Sequence, residues 1–254
     1  YPKAGENNSV VTLHSYDVES KNISNISLPD SYYIPRITRM NNSNHMSVQT
    51  LNRHQNNLNL YAVNLQNNSV SLLLHEKDKA YVDVTDNLTF LADDSFIWTS
   101  EKDGHNHIYL YSESGELKNQ ITSGDWEVTK YYGYDPKEER IYYQSTENGS
   151  INRDIYGIDI NARNKKRLSS GEGTNSAEFS ADFTYFINEF SNATTPRQFT
   201  LHKAKSGVKL KDILDNKKLT NQLSCYYMSP KEFSTLSVNG NDLNKWMVKP
   251  KDFD

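Results

Sequence analysis

Phe96-Ile97-Trp98-Thr99-Ser100, a polar connection, then His107-Ile108-Tyr109-Leu110-Tyr111: this pair of short apolar runs decides the fold, because it returns along the chain. It recurs as Ile141-Tyr142-Tyr143-Gln144-Ser145 with Asp154-Ile155-Tyr156-Gly157-Ile158-Asp159, and as Tyr185-Phe186-Ile187-Asn188 with Gln198-Phe199-Thr200-Leu201. A weaker upstream copy joins Met46-Ser47-Val48 to Leu60-Tyr61-Ala62-Val63-Asn64, and a last one joins Phe233–Val238 to Trp246–Val248. β-Branched and aromatic side chains suit a pleated, partly buried surface better than a helix. Trp98 and Tyr143 are 45 residues apart and Tyr143 and Ile187 44, while Tyr61, Tyr109 and Tyr156 are spaced by 48 and 47. A period in the mid-forties with several short strands per unit is the signature of a β-propeller blade. Such a blade has two apolar faces, so it buries itself only by stacking on neighbours. The competing architecture is a β-sandwich with evenly spaced strands.

Working outward, further strands are expected at Val10–Val18, Val70–Leu74 and Arg197–His202, each bounded by Asn, Asp, Ser or Gly. Asn67-Asn68, Asp103-Gly104, Ser114-Gly115, Asn148-Gly149 and Asn239-Gly240 place turn residues where positive φ is cheap. One short helix is expected around Leu210–Asp215. The reading is therefore all-β: a partial β-propeller of about four to five blades over residues 1–248, followed by a connector at 249–254. Tyr1-Pro2-Lys3 opens without an initiator Met and Lys249–Asp254 stops in a connector, so both ends read as cuts in a longer chain.

Composition narrows the function. Among 254 residues only 35% are hydrophobic, yet 17 Tyr, 9 Phe and 3 Trp supply the large apolar surfaces that disordered chains lack. A net charge of −4 gives no general attraction to nucleic acid or anionic lipid. Cys225 is the single cysteine, which excludes an intrachain disulfide and multi-cysteine metal clusters. No run approaches the length of a membrane-spanning helix, and no export signal opens the chain.

Motifs for chemistry are sparse. No Gly-x-Ser-x-Gly elbow occurs. His75-Glu76 lacks a second histidine at zincin spacing and, with Lys77-Asp78-Lys79 following, reads as a charged loop. His105 and His107 would share one side of a strand but have no third ligand at a compelling spacing, so a hairpin is expected and no metal site. Ser170–Thr174 is glycine-rich without the lysine of a phosphate loop. Asp83, Asp86, Asp93 and Asp94 cluster near the start of one repeat, where a propeller glycosidase would place paired acids. Asn-x-Ser/Thr at Asn22, Asn25, Asn87 and Asn192 reflects an Asn-rich composition.

Tyr1-Pro2-Lys3-Ala4-Gly5-Glu6-Asn7 with Val10–Leu13, Trp98–Tyr109, Ile121–Val128, Tyr142–Ser145 and Lys249–Asp254 are collinear matches covering essentially the whole chain. Together they resemble the dipeptidyl peptidase IV family. The resemblance implies the later part of an eight-bladed N-terminal propeller, joined in cis to a C-terminal α/β-hydrolase domain. It implies release of Xaa-Pro or Xaa-Ala dipeptides from peptide N-termini by a serine nucleophile, and an exported protein of the bacterial periplasm or outer envelope. The nucleophile, acid and histidine of the family belong to that later domain, and its amine-binding glutamates lie upstream of the Tyr-Pro-Lys-Ala-Gly segment. Hence no catalytic, cofactor or metal residue is carried onto this sequence. Peptide substrate is expected only in the full-length protein; a homodimer is a further expectation, and no cofactor or nucleic acid is called for.

Some family members place an Arg-Phe-Arg segment beside the substrate cleft, and the aligned stretch here is Tyr81–Asn87, with neither the basic groups nor the phenylalanine. Tyr81 and Asp83 are the candidate cleft-lining residues, an ordinary interblade turn being the alternative. Two other functions compete with the peptidase reading: a protein- or glycan-binding propeller and a small propeller glycosidase.

Overall fold

The computed structural model describes residues 3–29, 31–42 and 44–253. Tyr1 and Pro2 of the family-like N-terminal segment, and Asp254 at the end of the expected connector, lie outside the described residues. The rest is all-β apart from one short helix, and its repeated four-stranded sheets make it a partial β-propeller. The chain divides into two compact units, one ending at Thr122 and the other beginning at Ser123.

The first unit opens with a ribbon of β1 (Leu13–Tyr16) and β2 (Ile23–Ile26). Its first blade is β3 (Tyr33–Arg39), β4 (His45–Leu51), β5 (Asn57–Asn64) and β6 (Val70–Lys77), paired in that order. Its second is β7 (Thr89–Phe90), β8 (Phe96–Ser100), β9 (His107–Tyr111) and β10 (Leu117–Gln120). The second unit holds two more blades. One is β11 (Val128–Asp135), β12 (Arg140–Ser145), β13 (Asp154–Asp159) and β14 (Lys166–Arg167); the other is β15 (Thr174–Phe179), β16 (Tyr185–Ser191), β17 (Gln198–Lys203) and β18 (Lys209–Leu214). The helix α1 (Lys217–Leu223) and the hairpin β19 (Glu232–Val238) with β20 (Asn241–Met247) follow.

Each blade is an antiparallel meander, and the repeat read from sequence maps onto equivalent strands. Trp98, Tyr143 and Ile187 all lie on the second strand of their blades, while Tyr61, Tyr109 and Tyr156 lie on the third. They also face each other directly: Val48 pairs with Tyr61, Trp98 with Tyr109, Tyr143 with Tyr156 and Ile187 with Leu201. Every residue of β8 and β12 is buried, which explains why these strands read as nearly continuous apolar runs. In the first unit, Leu58, Leu60, Phe96, Trp98 and Tyr109 join one core shared by the two blades. Tyr142, Ile155, Ala177 and Phe186 do the same in the second.

Three local expectations are corrected. Leu210–Asp215 is not a helix: Lys209–Leu214 is the outer strand β18, with Leu201 opposite Lys211 and Phe199 opposite Leu214. Leu210, Ile213 and Leu214 have helical spacing, but six residues cannot repay helix nucleation when the free edge of β17 offers ladder hydrogen bonds at once. The helix instead occupies the next segment, Lys217–Leu223. His75 and Glu76 are not loop residues, because β6 runs on to Lys77. The hairpin pair expected at Phe233–Val248 is present, with Phe233 opposite Trp246, but it is a two-stranded sheet exposed on both faces. Its two-residue turn has Asn239 at φ 51° and Gly240 at φ 81°, the type I′ geometry that Asn-Gly favours.

Polar groups inside the second unit are held by name. Asp154 Oδ1 accepts from Arg167 Nη2 (2.8 Å), Ser169 Oγ (2.8 Å) and Asn175 Nδ2 (3.2 Å). The buried Arg140 guanidinium donates to Asp159 Oδ1 (2.8 Å), the Gly157 carbonyl (2.8 Å) and the Asn164 carbonyl (3.1 Å). A Cβ on Gly157 would stand 2.6 Å from Arg140 Nε. With three acceptors fixing the guanidinium, it cannot yield cheaply. Gly157→Ala is therefore expected to cost ~1–3 kcal/mol of folding stability, the usual range for overpacking, measurable as a lower urea midpoint at unchanged m-value. An unchanged midpoint would show that Arg140 is free to move.

Candidate functional site

The first unit contains a cavity of about 840 Å³. Its wall is built from the end of β6, the connection from Asp78 to Thr85, the end of β8, the turn Glu101–Gly104 and Tyr111. The connection exists because the outer strand β6 of one blade must reach the inner strand β7 of the next. It is pinned at several points. Asp78 Oδ1 accepts from the Ala80 (2.7 Å) and Tyr81 (3.4 Å) amides, an Asx-type turn. Those bonds hold the Asp78 carboxyl below its ordinary range, the Ala80 amide being the larger cause. Val82 is buried in the shared core and its amide donates to the Gln55 carbonyl at 3.0 Å. Further along, Asp86 is ion-paired with Arg36, and Asn87 Nδ2 donates to Thr99 Oγ1 at 3.0 Å.

These anchors place Tyr81 and Asp83 on either side of the buried Val82. Both line the cavity; Asp83 is exposed and the Tyr81 side chain is 51% exposed. The other carboxylates of the sequence cluster are not brought together with Asp83. Asp86 is taken by Arg36, Asp93 by Ser95 and Lys118, and Asp94 by the Asn41 and Asn42 amides. The rings of His105 and His107 are 6.4 Å apart, and His107 Nδ1 lies 3.0 Å from Thr122 Oγ1. Among the described residues no group of three His, Cys, Asp or Glu side chains is arranged to hold a metal.

Sequence reading missed the inner side of this cavity. Glu76, two residues beyond the expected end of its strand, accepts a hydrogen bond from the buried Trp98 Nε1 at 3.0 Å. Burial pushes its carboxyl above the ordinary value of 4.5, and the Ser100 and Trp98 hydrogen bonds and the Lys102 charge only partly oppose this. Lys102 Nζ donates to Tyr111 Oη at 2.9 Å and sits 3.9 Å from the centroid of Tyr109. Desolvation lowers its pKa, against the pull of Glu76. Burial, with Glu76 nearby, raises the Tyr111 hydroxyl to about 12. The available signal was periodicity: alternation through Leu74 and Glu76 points both to one side of β6. The site thus offers fixed charge, an exposed aromatic ring and hydrogen-bonding groups, which is binding chemistry.

A smaller cavity of about 520 Å³ in the second unit is lined by Asp135, Glu138, Asp182, Tyr185, Lys203 and Lys205 among others. Its carboxylates are committed locally: Asp135 to turn amides, Glu138 to Lys205, and Asp182 to Ser180 and Thr184.

Comparison with known proteins bears on both units. Residues 1–197 match the family described as the dipeptidyl peptidase IV (DPP IV) N-terminal region. The whole chain superposes on the crystal structure of Porphyromonas gingivalis dipeptidyl peptidase 4 with a TM-score of 0.92 and 42% identity, covering 37% of that protein. It is 26% identical over 267 residues to dipeptidyl peptidase 4 of Trichophyton equinum, covering all of this chain and 34% of the relative, with the same figures for Trichophyton tonsurans. The chain thus spans about a third of the length of these relatives.

Glu76 provides a pH test of the cavity's inner side. Because its native pKa lies above the unfolded value of 4.5, the folded state holds the proton more tightly. The associated stability is complete below pH 4.5 and is lost as pH rises through the native value. Glu76→Gln keeps an acceptor for Trp98 and removes that loss. The variant should melt above wild type at pH 7, with the gap closing below pH 4.5. A wild-type advantage at pH 7 would mean that attraction to Lys102 outweighs desolvation.

Proposed function

The chain belongs to the dipeptidyl peptidase IV N-terminal-region family, and from that premise we propose that it is the later part of the propeller of a serine exopeptidase releasing Xaa-Pro or Xaa-Ala dipeptides from peptide N-termini. The observation that carries this reading is the likeness, over the whole chain, to Porphyromonas gingivalis dipeptidyl peptidase 4. Its agreement with the family match over residues 1–197 supports the same reading.

In this proposal the chain supplies walls and a gate. An α/β-hydrolase domain in cis, reached through residues 249–254, supplies the nucleophile. Enclosure admits narrow peptides and holds the scissile bond at a fixed distance from the attacking serine. Serine attack forms an acyl-enzyme as the shortened peptide leaves, and water then releases the dipeptide. Tyr81 and Asp83 form part of the cleft wall, on a connection pinned between two sheets. The dispersal of Asp86, Asp93 and Asp94 among separate partners counts against the glycosidase alternative. A parent in the periplasm or outer envelope of a bacterium, and a homodimer, complete the proposal; cell fractionation and sedimentation test them.

The decisive experiment compares the full-length protein with residues 1–254 on a chromogenic Ala-Pro anilide, with a fluorophosphonate label in parallel. The full-length protein should turn over and take the label outside this chain; residues 1–254 should do neither. Inactive full-length protein, or turnover with labelling of residues 1–254 alone, would overturn the reading and favour a binding propeller or a different catalytic centre.

A further inference from the structure

We propose that Asn239 is a site of spontaneous modification, converted with loss of ammonia to isoaspartate and aspartate, while the fold protects Asn148 in the chain's other Asn-Gly sequence. The Gly240 backbone nitrogen attacks Asn239 Cγ. A new N–Cγ bond replaces the Cγ–Nδ2 bond, and the side-chain nitrogen leaves as ammonia with the proton given up by Gly240. Water then opens the cyclic imide. Cleavage between the nitrogen and Cγ gives aspartate; cleavage between the nitrogen and the Asn239 carbonyl carbon gives isoaspartate, with the main chain rerouted through Cβ. Water is the sole co-reactant. Glycine favours the first step because it has no Cβ to shield the attacking nitrogen.

Both asparagines are exposed, so access to water does not distinguish them. Hydrogen bonding does. The Gly149 amide, the attacking group at Asn148, donates to the Thr146 carbonyl at 2.9 Å, and the Gly149 carbonyl accepts from the Asn152 amide at 2.9 Å. Asn152 Nδ2 donates to the Asn148 carbonyl at 2.9 Å. This turn also joins β12 to β13, two strands buried in a blade. By contrast, neither Asn239 nor Gly240 makes a hydrogen bond to another described residue. A Cβ on Gly240 would meet nothing within 4 Å. The hairpin β19–β20 has no third strand and is exposed throughout, and a lone two-stranded hairpin opens at little cost. Ring closure needs Asn239 to leave its turn geometry and swing the Gly240 nitrogen toward its own Cγ. At Asn239 fraying of the hairpin end is enough, whereas at Asn148 the bonds made by Thr146 and Asn152 must break first. Isoaspartate adds a backbone atom to a two-residue loop that sets the pairing of Val238 with Asn241, so the modified hairpin loses its end register.

The test ages the full-length protein in warm, mildly alkaline buffer, digests samples over time and follows both Asn-Gly peptides by mass spectrometry that separates isoaspartate from aspartate. Asn239 should convert at least about fivefold faster than Asn148, the factor set by one net hydrogen bond of ~1 kcal/mol that must open first at Asn148. In denaturing urea the two rates should converge, because the protecting bonds are gone. Asn152→Ala should speed conversion at Asn148 and leave Asn239 unchanged. Equal rates in the folded protein, faster conversion at Asn148, or a folded-state ratio no larger than the ratio in urea would overturn the inference. So would an unaltered Asn148 rate in Asn152→Ala. The wild-type comparison of folded with unfolded chain needs no variant to fold, and none of these readouts depends on peptidase activity.

Discussion

The blades of this molecule depend on central strands that are buried on both faces. A strand such as β8 or β12, buried along its entire length, cannot be covered by its own sheet. The facing pairs Trp98–Tyr109 and Tyr143–Tyr156 concentrate the burial. Each large aromatic removes on the order of 150–250 Å² from water, worth several kcal/mol at about 25 cal/mol per Å² as an upper bound. Against that scale a surface ion pair of at most about 1 kcal/mol is secondary. Burial of the central strands therefore sets the architecture, and exposed pairs such as Arg36–Asp86 adjust the position of a connection.

The same burial governs the charges. Where two blades meet, a buried polar side chain is favoured when hydrogen bonds replace its lost hydration, and a titratable one without enough of them shifts its protonation equilibrium. Asp154 illustrates the first outcome on one oxygen: Oδ1 accepts from three donors, whereas the buried Oδ2 has no partner among the described residues. Glu76 illustrates the second: desolvation outweighs the hydrogen bonds from Ser100 and Trp98 and the charge of Lys102. The difference has a structural origin. Asp154 lies in the interior of a blade pair, whereas Glu76 lies at the end of an outer strand, beside a cavity that interrupts the packing.

How much of this was legible before the structure depended on which force dominated at each residue. The paired second and third strands were readable because burial on both faces demands β-branched and aromatic runs, as in Phe96–Ser100 and Ile141–Ser145. Outer strands were harder. Lys209–Leu214 is exposed throughout, so its sequence answers to solvent and its conformation to the free edge of β17, which no local pattern encodes. Short inner strands such as Thr89–Phe90 likewise borrow their geometry from a neighbour. Around the cavity, Tyr81 and Asp83 had been singled out by resemblance, whereas Glu76 and Lys102 had not. Their meeting depends on the nonlocal approach of β6 to the turn after β8.

That division between strands and connections bears on how such a protein acquires specificity. Changing a residue in β8 or β12 disturbs a core shared by two blades, and large-to-small changes there cost about 2–5 kcal/mol. Tyr81 and Asp83 carry no such burden. Asp78 shapes the turn before them, Val82 plugs the core between them, and Asn87 and the Arg36–Asp86 pair hold the chain beyond them. With the backbone fixed at these points, the intervening side chains are ordered enough to recognise a ligand and exposed enough to vary at little cost to folding. A connection anchored in this way lets one set of blades present different chemistry at its surface. In this chain that chemistry is a carboxylate and a phenol at the wall of a cavity whose inner lysine already donates to Tyr111.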